Sequence, residues 1–213
     1  MKLLIGIPSI DYMHAEFVKC LTALTIRLCQ QKIPFDVFIN NGTLVHVARD
    51  KIACKAINKD YTHVLWLDAD MIFQPTVLED LMDTGHDFVT GIAHSRRPPY
   101  ASCVFENIDD LDHLKRFEGV NYPVEPFPVA GCGFACVLIK TEVLKAVQLH
   151  YKTCFLPELQ WGEDLTFCRR ARAMGYDIYA DPCVRLGHIG HDVIWPEDHQ
   201  RYLERIEGMS GNA

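Results

Sequence analysis

The sequence predicts an α/β protein, in which a mostly parallel sheet carries helices on both faces. Up to Ile92, short apolar runs alternate with segments of helical periodicity, the order expected when helices cross over a parallel sheet. The first of these runs, residues 2–8, is apolar at nearly every residue, as a strand covered on both faces is. Two acids, Asp68 and Asp70, follow directly on one of these runs, at the edge where open α/β sheets bind ligands.

The first half of the chain alternates regularly. We predict strands over residues 2–8, 35–39, 63–67 and 87–92, and helices over residues 13–31, 44–58 and 75–82. The helices are assigned from apolar residues at intervals of three and four. Thr43 is a suitable N-cap for the second helix, and Pro75 suits the first turn of the third.

After residue 92 the regularity is lost. Residues 97–128 are rich in proline, charge and aromatic side chains, and only 101–105 has the composition of a strand. Beyond them we predict strands over residues 134–139, 178–179 and 183–186, and helices over residues 141–149, 163–174 and 196–206. We therefore expect one domain spanning residues 1–213, with a regular half to about residue 95 and an irregular half from about residue 96.

Composition and charge exclude several classes of protein. A net charge of −7 argues against nucleic-acid binding, and the pairs Arg96-Arg97 and Arg169-Arg170 are interpreted as solvated surface. No apolar run approaches the ~20 residues that span a bilayer, and residues 1–8 do not form a signal peptide. The nine cysteines lack zinc-site spacing, which predicts reduced thiols in the cytoplasm, or in the host cytoplasm for a viral protein.

The two acids after the third strand predict a cation site. In an extended backbone, side chains two residues apart project to the same side, so Asp68 and Asp70 point toward one place. Two adjacent anions repel, and a divalent cation with a preference for oxygen, Mg²⁺ or Mn²⁺, removes that cost. Asp110 and Asp112 have the same spacing but follow no strand. The structural alternative is that Asp68 and Asp70 only cap the next element.

Two later segments carry further candidates. Glu163 and Asp164 begin a helix, where the helix dipole favours acids whether or not they have a function. The preceding Trp161-Gly162 suggests an aromatic platform with close access to the backbone. In the sequence 186–190, glycines flank His188, which would supply the neutral ligand that a pair of acids lacks.

Five motifs in order resemble those of nucleotide-sugar glycosyltransferases with the GT-A fold, most closely the family 2-like members. They are Pro8-Ser9, the D-x-D of residues 68–70, the GCGF of residues 131–134, the WGED of residues 161–164 and the HIG of residues 188–190. The resemblance implies a Rossmann-like GT-A fold with a nucleotide-binding half and an acceptor-side catalytic half. The whole chain also resembles the amino-terminal domains of chlorovirus-encoded, multi-domain glycosyltransferases that build the glycan of a major capsid protein, which implies further domains after residue 213.

The resemblance assigns a role to each motif residue. The metal ligands for Mn²⁺ or Mg²⁺ would be Asp70, His188 and Asp68. Contacts to a UDP-sugar would come from Pro8, Ser9, Arg49, Asp68, Ala69 and Asp70. The sugar and acceptor side would be formed by Gly131, Cys132, Gly133, Trp161 and Glu163. The catalytic base would be Asp164.

The predicted activity is metal-dependent transfer of a glucose- or rhamnose-like sugar from UDP to a hydroxyl of a glycan acceptor on a glycoprotein, with inversion favoured. Relatives carry a uracil-reading acid where this chain has Asn40-Asn41, so a GDP-sugar transferase of mannosyl type is one alternative. A non-catalytic sugar-binding module is another. A phosphatase is less favoured because the D-x-D follows the third strand. A nucleotidyltransferase is less favoured because no glycine-rich basic loop follows the first.

Overall fold

A computed structural model describes residues 1–110, 112–117, 122–158, 160–190 and 192–210. Its strands are β1 Leu3–Pro8, β2 Phe35–Asn40, β3 His63–Leu67, β4 Met71–Ile72, β5 Phe88–Ile92, β6 Val104–Asn107, β7 Lys115–Arg116, β8 Phe127–Val129, β9 Gly131–Cys132, β10 Cys136–Lys140, β11 Ile178–Arg185, β12 Gly187–Ile189 and β13 Val193–Ile194. Its helices are α1 Ala15–Gln30, α2 Val45–Asn58, α3 Val77–Asp83, α4 Thr141–Tyr151, α5 Glu163–Ala173 and α6 Pro196–Ser210.

The central sheet has seven strands in the order β2-β1-β3-β10-β5-β11-β8. Strands β2, β1 and β3 are parallel, and so are β5 and β11. Strand β10 runs antiparallel to both β3 and β5, which places those two in the same direction, and β8 runs antiparallel to β11 at the edge. The predicted α/β class with a mostly parallel sheet is confirmed.

Apolar side chains alternate between the two faces of the sheet, and helices cover both faces. In β3, Val64 and Trp66 belong to the core cluster beneath α2, α4 and α5, whereas Leu65 and Leu67 belong to the cluster beneath α1 and α3. Because β3 is central, all four of these side chains are fully buried. Burial of each contributes roughly 1.5–3 kcal/mol relative to exposure.

A close contact fixes α2 against β1. A Cβ added to Gly6 would lie 2.5 Å from the Cγ2 of Ile52, so any larger residue in the middle of β1 would push this helix away. Helix α2 carries Arg49, which is buried below the sheet edge where the candidate site lies. The glycine in the first strand therefore helps to set the position of a charged side chain in the site.

The predicted helices and the first four predicted strands occur within a few residues of their expected bounds. The two strands predicted over residues 178–186 are a single strand, β11, with an irregularity between Asp181 and Arg185. The strand predicted over residues 101–105 begins only at Val104, and Ser102 instead forms a bridge with His94. The short strands β4, β7, β8, β9, β12 and β13 were not predicted, because two or three residues carry no periodicity.

All nine cysteines are free thiols, as predicted, and four of them are buried. Among the residues that the structure describes, no helix combines the length and apolarity needed to cross a lipid bilayer.

Candidate functional site

A pocket of about 470 Å³ opens at the carboxyl ends of β1 and β3. The two strands are parallel neighbours, so the residues that follow them meet at one edge of the sheet. We call this cavity the strand-end pocket. It is lined by Pro8, Ser9, Ile10, Asp11, Tyr12, His14, Thr43, Val45, Ala48, Asp68, Ala69, Asp70 and Arg96. The sequence-predicted residues Pro8, Ser9, Asp68, Ala69 and Asp70 therefore share one cavity.

The backbone of the D-x-D turn is held on both sides. The N–H of Asp68 donates to the carbonyl of Ala135, at a distance of 3.0 Å, and the N–H of Met71 donates to the carbonyl of Asp68, at 3.3 Å. Directly afterwards β4 pairs with β12, and the N–H of Ile189 donates to the carbonyl of Asp70, at 2.8 Å. This small sheet brings the late HIG segment against the D-x-D turn.

Asp70 and His188 face each other, with the imidazole Nε2 3.4 Å from the carboxylate Oδ2. On its other side the ring donates from Nδ1 to the carbonyl of His94, at 2.7 Å. Burial works against both charged forms. Even so, the mutual hydrogen bond and charges lower the pKa of Asp70, with a further contribution from Arg96, and raise the pKa of His188.

This pair fits the first part of a divalent-cation site. The hydrogen bond to His94 keeps a proton on Nδ1, so His188 would bind a metal ion through Nε2, in place of the hydrogen bond that Nε2 shares with Asp70. Within the described ranges, no three His, Cys, Asp or Glu side chains converge as a set that could hold a metal ion by themselves. The remaining coordination positions would fall to substrate oxygens and water, which Mg²⁺ commonly keeps.

Asp68 is held by a buried arginine. The guanidinium of Arg49 lies 2.9 Å from Asp68 Oδ1 and 2.5 Å from Glu163 Oε1, and it also lies over the ring of Phe134. Burial raises the pKa of Asp68, and Arg49 offsets part of that shift. The arginine is occupied by two carboxylates, an arrangement that does not favour the role predicted for it on a base or phosphate. That role stays a prediction.

Asp164 lies in the first turn of α5, next to Glu163, which pairs with Arg49. Its Oδ1 accepts from the N–H of Leu165, at 2.7 Å, and its Oδ2 lies 3.7 Å from the position of a Cβ on Gly133. The absent side chain at Gly133 therefore leaves room beside the carboxylate. Burial raises the pKa of Asp164; the charge of Arg49 lowers it in part, and that of Glu163 adds to the rise.

Other residues predicted on the acceptor side lie in the core. Cys132 is fully buried, and its N–H donates to the Sγ of Cys168. A Cβ on Gly131 would lie 2.9 Å from Ile108, so this glycine permits packing beneath α5. Trp161 is 5% exposed and lies beneath the guanidinium of Arg169, so it offers no open aromatic platform.

The interpretation of the basic pairs as solvated surface is wrong for Arg170 and incomplete for Arg96, which is exposed but also lines the strand-end pocket. Arg170 is 5% exposed and its guanidinium pairs with Glu158. Arg96 lines the strand-end pocket, with Nη1 3.0 Å from Asp70 Oδ2. The signal for Arg96 was its position four residues after β5, at the same edge of the sheet as the D-x-D turn.

The second D-x-D is separate from the site, since Asp110 is exposed and pairs with His113.

Comparison with known proteins supports the fold. The structure matches A197 from STIV with a TM-score of 0.62 and 19% identity, over 93% of this chain and 92% of that one. In all, 226 chains of solved structures match, so the fold is widespread and does not by itself select an activity. No protein-family model matches the chain. No curated protein matches it either. The chain has a Rossmann-like GT-A fold.

Proposed function

We propose that the protein is a metal-dependent glycosyltransferase that moves a hexose or deoxyhexose from a UDP-sugar to a hydroxyl of a glycan acceptor. One observation carries the proposal. A carboxylate after β3 and an imidazole on β12, 118 residues apart in sequence, face each other at 3.4 Å beside a pocket at the strand ends. The proposal assigns residues 1 to about 95 to the donor side of one catalytic domain and the rest to its acceptor side, except Arg96 and His188, which lie beside Asp70.

Asp70 and His188 would hold Mn²⁺ or Mg²⁺. When bound, this ion would supply a Lewis acid that offsets the negative charge of the departing diphosphate. The protein's own part is orientation. The carbonyl of His94 fixes the ring of His188, and the hydrogen bond from Ile189 fixes the backbone of Asp70. Rigid support of this kind reduces the cost of ordering the ligands.

The strand-end pocket would hold the nucleotide. Its volume of about 470 Å³ lies within the range of roughly 300–1,000 Å³ that is common for small-molecule sites. Pro8 and Ser9 form its wall at the end of β1, and Asp68 is held in place by Arg49 for a ribose hydroxyl or a water near the ion. Asn40, beside Pro8 at the end of β2, has a buried Oδ1 without a partner among the described atoms, and it is not among the residues that line the pocket.

Asp164 would take the proton of the acceptor hydroxyl as that oxygen attacks the sugar. An ordinary aspartate is a weak base for an alcohol, and the raised pKa of this carboxyl brings its basicity closer to what the task requires. Gly133 leaves space beside Oδ2 for an incoming group. A sugar hydroxyl of a glycan would be the acceptor, as the five motifs that resemble those of glycosyltransferases imply.

A thermal-shift screen of UDP, GDP, CDP and their sugars, each with and without Mn²⁺, tests the donor. A ligand that binds only the folded state stabilises it by about 2.7 kcal/mol at a concentration of 100 Kd, which is roughly 5–10 °C for a chain of this size. We expect the largest shift with UDP and UDP-sugars, and only with Mn²⁺ present. A response to GDP alone would indicate a GDP-sugar as the donor. No response to any nucleotide would contradict the proposed function.

Hydrolysis separates an enzyme from a binding module. Without acceptor, a glycosyltransferase releases sugar slowly to water, so we expect Mn²⁺-dependent formation of UDP from a UDP-sugar. The Asp70→Ala variant is the control, because it should lose this activity while keeping the fold. If the wild-type protein binds the UDP-sugar and releases no UDP, the sugar-binding module is the better description.

A further inference from the structure

Arg96 occupies a position beside Asp70 that a bound metal ion would also need. Its Nη1 lies 3.0 Å from Asp70 Oδ2, the same oxygen that faces the Nε2 of His188. The stem of the arginine runs beside Gly190, where an added Cβ would lie 3.7 Å from the Cβ and Cδ of Arg96. The side chain is half exposed, on the pocket side. Arg96 and His188 therefore converge on one carboxylate oxygen.

A guanidinium and a divalent cation cannot share that oxygen at low cost. Both are positive, and arginine keeps its proton at any pH that proteins meet, so repulsion cannot be relieved by deprotonation. Metal binding to Asp70 therefore requires Arg96 to move away. The side chain of Arg96 is half exposed and already lines the pocket, so it can turn toward the cavity without leaving a buried position.

The pocket offers Arg96 a new partner only when a phosphate group enters. Among the described residues that line the strand-end pocket, Arg96 alone carries a permanent positive charge. Arg49, the nearby alternative, is buried and paired with Asp68 and Glu163. A planar guanidinium matches phosphate oxygens in a bidentate way and forms charge-assisted hydrogen bonds with them.

We propose that Arg96 is an exchangeable counter-ion that makes metal binding conditional on the nucleotide. In the empty pocket it neutralises Asp70, and in the loaded pocket it leaves Asp70 to the cation and pairs with the diphosphate. This inference rests on the proposed function, because the new partner is the diphosphate of the donor. Its consequence is that Mn²⁺ and nucleotide each improve binding of the other, since each removes a cost that the other would meet alone.

Two titrations test the exchange in opposite directions. Free Mn²⁺ is measured by electron paramagnetic resonance without nucleotide, and UDP binding is measured by calorimetry at saturating Mn²⁺. For Arg96→Ala we expect Mn²⁺ alone to bind about fivefold more tightly, because its competitor is gone. We expect UDP to bind about tenfold more weakly, the scale of one lost charge-assisted hydrogen bond. A residue with a merely structural role would not strengthen one ligand and weaken the other.

Arg97→Ala is the matched control, because it removes the same charge from the adjacent, exposed residue. We expect it to leave both affinities within about twofold of wild type, since exposed charges are screened by salt. Arg96→Lys is a second variant, which keeps the positive charge and loses the planar guanidinium that can bind two phosphate oxygens at once. It should bind Mn²⁺ alone as wild type does, and UDP with intermediate affinity. Melting temperatures of all variants check the fold.

Each outcome decides the question. If Arg96→Ala weakens Mn²⁺ as well as UDP, the arginine supports the site structurally and the exchange is wrong. If wild type binds UDP and Arg96→Ala binds it equally well, the phosphate contact is wrong while the proposed function stands. If wild type binds no nucleoside diphosphate, the proposed function and the exchange fail together.

Discussion

The two sides of the candidate site hold their acids in opposite electrostatic settings. On the donor side, Asp70 faces a pocket between an imidazole and an arginine, and these partners lower its pKa. On the acceptor side, Asp164 is more deeply buried beside Glu163, and its pKa is raised. Under the proposed function, one residue type would serve two tasks, to remain an anion on one side and to accept a proton on the other.

Arg49 joins the two sides. It bridges Asp68, next to the donor carboxylate, and Glu163, next to the proposed base. Because Arg49 is almost completely buried, its charge acts in surroundings where water screens little. We therefore expect substitution of Asp164 or Asp70 to act first on its own side of the site. Substitution of Arg49 should affect both sides.

The largest expected effect is confined to the acceptor side. Asp164→Asn removes the proton acceptor and keeps the shape, so transfer to acceptor should fall by roughly 10²–10⁴-fold. UDP binding in the presence of Mn²⁺ should stay within about twofold of wild type, because Asp164 is not among the residues that line the strand-end pocket. Initial rates of transfer and a calorimetric titration measure the two quantities. Asp112→Asn, at an exposed position, is the control. Full transferase activity in Asp164→Asn would show that Asp164 is not the catalytic base.

The second-largest expected effect comes from a donor-side substitution that weakens nucleotide binding and also slows turnover. Asp70→Ala removes the carboxylate that faces His188, so Mn²⁺-dependent UDP affinity should fall by roughly 10–100-fold, and turnover should fall with it. The contrast with Asp164→Asn lies in binding, which only the donor-side change should weaken. Manganese titrations of UDP binding distinguish the two variants. Equal UDP binding by Asp70→Ala and wild type, at every Mn²⁺ concentration, would show that this carboxylate holds no cation.

The strand-end pocket could be predicted from the sequence because its information is local. The strands before Ser9 and Asp68 are continuous apolar runs, and parallel strands place their carboxyl ends at one edge. The late histidine was predicted as a metal ligand from its flanking glycines and from resemblance, and its position beside Asp70 depends on pairing of β4 with β12, strands of two and three residues. No periodicity marks strands that short.

The partners of the charged side chains could not be predicted from the sequence. Arg49 and Glu163 are 114 residues apart, and nothing in either segment indicates that they meet. Arg96 sits in an irregular segment, where solvated surface was the default interpretation of a basic pair. Trp161 and Cys132 were expected to shape an open acceptor face, but the side chains packed around them decide their burial, and these come from distant elements. The sequence predicted that Asp70 and His188 meet, and it missed the arginines that pair with Asp68, Asp70 and Glu163.

A third prediction tests the bridge by stability. Arg49→Met keeps much of the volume and leaves two carboxylates without their counter-charge, so the free energy of unfolding should fall by about 3–5 kcal/mol. Urea unfolding monitored by fluorescence measures it. Arg27→Met is the matched control, since Arg27 pairs with Glu79 at a more exposed site, where such pairs contribute about 0–1 kcal/mol. Adding Glu163→Gln to Arg49→Met should recover part of the loss, because it removes one of the unpaired charges. Equal costs for the two arginine variants would show that the bridge does not hold the two sides together.

The smallest expected effect is a displacement of a pH profile. The proposed base works only as a carboxylate, so at saturating Mn²⁺, which would keep His188 deprotonated, transfer by wild type should decline as the pH falls through the pKa of Asp164, which burial places above the ordinary aspartate value. The positive charge of Arg49 lowers that pKa in part, so Arg49→Met should move the acid limb of kcat/KM to higher pH. At pH values above both limbs the two proteins should differ less, because the carboxyl is ionised in each. Rates are compared only at temperatures where both proteins are folded, with Arg27→Met as the control that should keep the wild-type limb. A limb that stays in place after Arg49→Met would mean that the buried arginine does not act on the base, and the two sides would then be electrostatically independent.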